Sequence, residues 1–177
     1  MRALALIATA TLALTPIAAQ AAEPPCLTAA EFSALSSYAL PSIITGTAER
    51  CAATLPASAW LRRNGSELAT RYAVAKPAAW PGAKAAFLKL GGSSANAEAA
   101  NLLRSLPDTS LQPMFDTLIA GMIGQQLPTE RCGMVDRVVR LLAPLPPENT
   151  AELIAVLVGI GAKSGRAKVG SFSLCPA

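Results

Sequence analysis

The chain has 177 residues, with 15 lysines and arginines against 11 acids and no histidine. A formal charge of +4 is too modest to point to nucleic acid as a partner. The missing imidazole removes the commonest general base, the usual partner of a nucleophilic serine or cysteine, and the commonest metal ligand.

Arg2, the apolar stretch from Ala3 to Leu14, the break at Pro16 and the small residues of Ala19-Gln20-Ala21 read as a secretory signal cleaved after Ala21. The apolar run is too short to remain as a membrane helix, and no later run is better suited. Glu23-Pro24-Pro25 precede Cys26, where lipid attachment would need small residues. The expectation is export to the periplasm or medium of a single helical domain over 22–177, ending in a basic tail over 163–177. Cys26, Cys51, Cys132 and Cys175 all follow the signal. In an oxidising compartment they predict two disulfides, and none of their spacings suits a structural zinc site.

Proline and glycine punctuate the rest into short helices. Thr28-Ala-Ala-Glu31 is a capping box, and Leu27 and Phe32 are spaced as a hydrophobic staple across it. This opens a helix over 29–40 that Pro41 ends or bends, followed by another over 42–54. A short piece over 57–63 closes at Asn64-Gly65, which reads as a turn rather than a glycosylation site. Ser66 caps the next helix, where Glu67 and Arg71 make an i,i+4 pair. Pro77 or Pro81 opens a segment ending at Gly91-Gly92, and a further helix covers 95–106.

Over 111–127, Phe115, Leu118, Ile119, Met122 and Ile123 share one face, and Gly121 and Gly124 suggest a helix packed closely there. Val135, Val138, Val139 and Leu142 form the next stripe, opposite Asp136, Arg137 and Arg140. After the stiff elbow from Pro144 to Pro147, Asn149-Thr-Ala-Glu152 opens a helix over 151–162. That helix is apolar nearly all round and is expected at the centre of the fold. The sum is an all-α domain of seven to nine short helices. Its expected core is Leu118, Ile119, Met122, Val138, Val139, Leu142, Ile154, Leu157 and Val158. A hairpin turning at Pro41 would bring Cys26 to Cys51, which predicts the pairs Cys26–Cys51 and Cys132–Cys175. The triplets Glu49-Arg50-Cys51 and Glu130-Arg131-Cys132 recur without similar surroundings and are read as coincidence.

Little in the sequence carries chemistry. Gly159-Ile-Gly-Ala-Lys163 lacks the glycine before lysine of a phosphate-binding loop and ends a helix rather than opening one. Capping accounts for Glu31 and Glu152, and helix pairs for Glu67 and Asp136. Glu49, Asp116 and Glu130 remain the least explained carboxylates, yet no catalytic residue, metal ligand or cofactor is assigned. From Glu49 to Leu90, seven cations stand against two anions, interleaved with Trp60, Tyr72, Trp80 and Phe87. Arg62, Arg63, Arg71, Lys76, Lys84 and Trp80 are therefore the candidate binding residues, toward an anionic envelope component. The expected role is a non-catalytic exported module that binds a protein or envelope component. The alternatives are a carboxylate-dependent envelope-glycan enzyme and a carrier of an apolar ligand.

Overall fold

One long helix organises the molecule. The computed structural model describes residues 26–94, 97–163 and 173–175. The expected signal lies outside them, as do most residues of the expected basic tail. A short strand β1 (Cys26–Leu27) leads into α1 (Ala29–Cys51), then α2 (Trp60–Ala73), α3 (Lys76–Ser94), α4 (Ala97–Ser105) and α5 (Asp108–Gln126). A 3-10 turn at Thr129–Arg131 opens α6 (Cys132–Leu142), followed by α7 (Pro147–Lys163) and β2 (Ser173–Leu174). The described residues thus form an all-α fold of seven helices with one two-stranded parallel bridge, in which Cys26 pairs with Ser173 and Leu27 with Leu174.

The capping box forms as the sequence suggests. The Glu31 backbone N–H donates to Thr28 Oγ1 at 3.1 Å, and the Thr28 backbone N–H donates to Glu31 Oε2 at 2.8 Å. Leu27 and Phe32 are buried in the same cluster beside it. Pro41 does not end the helix. It costs one backbone hydrogen bond and a steric clash, about 3 kcal/mol, but α1 is packed on by α2, α3, α5 and α7. Tyr38, Leu40 and Ile44 are all buried around Pro41. At roughly 1.5 to 3 kcal/mol per large apolar side chain, that burial outweighs the break.

The unbroken helix overturns the expected disulfides. With 23 residues at about 1.5 Å each, α1 holds its two ends about 34 Å apart, far beyond the reach of one disulfide. Cys26 instead bonds Cys175, with Cα atoms 4.8 Å apart, and Cys51 bonds Cys132, at 5.5 Å. The first bond ties β1 to β2, and the second ties the end of α1 to the start of α6. The two Glu-Arg-Cys triplets therefore meet through their cysteines.

The expected core is also displaced. Leu118, Met122, Val138 and Leu157 are exposed, and Ile119, Val139, Leu142, Ile154 and Val158 are only half-buried. The fully buried large side chains are Tyr38, Tyr72, Phe115, Leu27, Leu61 and Leu111. A helix packed from four sides needs narrow side chains, and α1 supplies buried Ser36, Ser37, Gly46 and Thr47. These residues made α1 look less apolar than α7, whose outer residues Leu153, Val156 and Leu157 face outward.

Asn64-Gly65 is not a turn but lies inside α2. Gly65 is buried where a Cβ would stand 3.5 Å from that of Ala48, so a small residue there lets α2 approach α1. Gly91 and Gly92 likewise do not close α3, which runs on to Ser94. Asn149 lies inside α7, which starts at Pro147.

Candidate functional site

The six candidate binding residues are mostly used within the fold. Arg62 Nη1 donates to the carbonyls of Ala52 and Leu55, both at 3.0 Å, and so satisfies acceptors just beyond the end of α1. Arg71 does not engage Glu67 in an ion pair. Its Nη2 donates to the Ala143 carbonyl, and its guanidinium lies 5.9 Å from the Tyr72 ring centroid. Lys76 Nζ grips both carboxylate oxygens of Asp116, at 2.7 and 2.6 Å, and sits 4.4 Å from the Tyr38 ring centroid. Lys84 pairs with Asp108 at 2.5 Å. Trp80 is 6% exposed and stacks at a tilt on Tyr38, with centroids 4.9 Å apart. Arg63 stands exposed on α2.

The carboxylates divide in the same way. Asp116 accepts from Ser42 Oγ at 2.9 Å as well as from Lys76, which ties α1, α3 and α5 together. Asp116 also adds to the burial that pushes the Tyr38 hydroxyl up to about 12, burial being the larger cause. Asp108 is held below the ordinary carboxylate range, first by Lys84 and then by the Trp80 indole, although the indole N–H meets no acceptor at hydrogen-bond geometry. Asp136, expected on an outer face, turns inward and accepts from the Leu61 backbone N–H at 2.6 Å. Glu49 and Glu130 lie exposed. Among the described residues, no group of three His, Cys, Asp or Glu side chains is placed to hold a metal ion. All four cysteines are oxidised in pairs.

What the structure brings out instead is the outward side of α5. Asp116 and Ala120 face α1, where an ideal Cβ on Gly46 would stand 3.0 Å from the Ala120 carbonyl oxygen. Those two contacts set the helix's rotation and turn Leu118 and Met122 outward, 48% and 42% exposed. Met114, one turn earlier, is exposed with them. A Cβ at Gly121 or Gly124 would meet nothing within 4 Å, so neither glycine serves the intramolecular packing expected of it. Asp116 is the only charged residue between Pro113 and Gln126, and it is turned inward. The face is therefore free of charge. Its 3.6-residue pattern was visible in the sequence; which side it faced depended on Ser42, Gly46 and Lys76, all distant in the chain.

No helix among the described residues is long and apolar enough to cross a membrane. Compared with protein-family models, curated proteins and solved structures, the chain matches none.

Proposed function

We propose that the protein is an exported, disulfide-stapled helical module that binds another protein through the outward face of α5. One observation carries this reading. Met114, Leu118 and Met122 stand exposed a turn apart on a face without charge, beside the bare backbone of Gly121. A surface helix ordinarily covers its solvent side with charged or polar groups. Contiguous exposed apolar surface is instead a mark of interaction sites. Methionine suits such a contact, because its flexible and polarizable side chain adapts to a partner's relief. Glycine there permits close approach of a second backbone, at a cost of roughly 1 kcal/mol each in helix stability. Support for export comes from the signal-like segment from Arg2 to Ala21 and from two disulfides, a bond type that persists in oxidising compartments.

The test is site-specific photo-crosslinking in the producing cell. A photoreactive residue replaces Leu118 in one variant and Glu67, exposed on α2, in another. A discrete crosslinked protein at position 118 and none at 67 is the expected result. Silence at 118, or the same product at both positions, contradicts the reading.

A further inference from the structure

A second set of charges, around α6 and on α7, finds no ion-pair partner among the described residues. Asp108, Asp116 and Glu31 each take a lysine, and Asp136 takes a backbone N–H. Arg131, Arg137 and Arg140 remain exposed around α6, and Glu130, Glu148 and Glu152 remain exposed beside it and on α7. None of these six makes an ion pair with another described residue. They lie close in sequence, yet α6 packs on α2 while α7 packs on α1, and the two helices do not pack extensively on each other.

Both helices also present unpartnered apolar residues next to these charges. On α6, Met134, Val138 and Leu141 are exposed; at 100° per residue they fall within about 60°, with Arg137 and Arg140 along one edge. On α7, Leu153, Val156 and Leu157 are exposed; they fall within about 100°, with Glu148 and Glu152 along one edge. One helix is thus apolar with a basic edge, and the other apolar with an acidic edge.

We propose that a second copy of this chain occupies both surfaces, α6 of each copy docking on α7 of the other. Such a two-fold contact is self-complementary: the same pairing occurs twice, apolar strips meet, and Arg137 and Arg140 face the partner's Glu148 and Glu152. A contact of α6 with α6, or of α7 with α7, would instead set like charges against each other.

Sedimentation velocity on the disulfide-bonded protein tests this, using the wild type, Arg137→Glu/Arg140→Glu, Glu148→Arg/Glu152→Arg, and a mixture of the two variants. The wild type is expected to double its mass with rising concentration and to dissociate as salt screens the pairs. Each reversal alone is expected to weaken association about tenfold or more, because it opposes like charges twice. The mixture is expected to regain the dimer, since an acidic α6 and α7 then meet a basic α6 and α7. Leu141→Ser and Val156→Ser probe the same contact without changing charge, and both are expected to lower the dimer fraction. A wild type that stays monomeric throughout, or a dimer that survives both reversals and both serine variants, overturns the proposal.

Discussion

Gly46 and Ala120 stand against each other where α1 meets α5: a Cβ on Gly46 would lie 3.0 Å from the Ala120 carbonyl oxygen and 3.1 Å from its Cα. The obstacle is backbone, which cannot swing away as a side-chain end would. Gly46→Ala is therefore expected to destabilise the protein by about 1 to 3 kcal/mol, the usual range for overpacking. Gly121→Ala, on the open side of the same helix pair, is expected to stabilise it by roughly 0.5 to 1 kcal/mol through helix propensity alone. Urea denaturation of both variants checks the contrast in sign.

The length of α1 rules out a bond between Cys26 and Cys51. Peptide mapping of the oxidised protein is expected to recover Cys26 with Cys175 and Cys51 with Cys132. Replacing either pair by alanine should cost roughly 4 to 5 kcal/mol by loop-closure entropy, given sequence separations of 149 and 81. A fragment joining Cys26 to Cys51 would mean that α1 is broken.

Glu31 provides a pH-dependent contribution. Its carboxyl is held below the ordinary value of 4.5, chiefly by the Thr28 backbone N–H and then by Lys89, whose Nζ lies 3.0 Å away. The charged form is thus favoured in the folded state, so this contribution is fully present above about pH 4.5 and is lost as pH falls through the depressed folded value. Thr28→Val removes the side-chain cap and is expected to cost about 1 kcal/mol near neutrality. Lys89→Gln leaves the cap in place but should flatten the acid-side loss of stability. Thermal denaturation across this window distinguishes the two.

Some local signals in the sequence survived folding, others gave way to tertiary packing, and signals that depended on distant residues were not legible. The Thr28–Glu31 capping box and the helical character of nearly every segment rest on chemistry within one or two turns, and they stand as read. Pro41 and Asn64-Gly65 are local breakers overruled by tertiary packing: Pro41 is buried among helices, and Gly65 lets α2 approach Ala48. The rotation of α5 was not legible because an amphipathic stripe gives a period but not the phase fixed by Ser42 and Lys76 gripping Asp116. The use of the basic stretch within the fold was not legible for a related reason. A cation count does not reveal that Arg62 and Arg71 reach backbone carbonyls while Lys76 and Lys84 reach acids on another helix.

The outward placement of Leu118 and Met122 gives α5 its binding face, and the stability of Leu118→Lys/Met122→Lys measures that placement. If both side chains face solvent, as their 48% and 42% exposure indicates, unfolding free energy should change by no more than about 0.5 kcal/mol. A loss of several kcal/mol, the cost of burying two lysines in a core, would place this face inside the protein and leave no apolar surface on α5 for a partner.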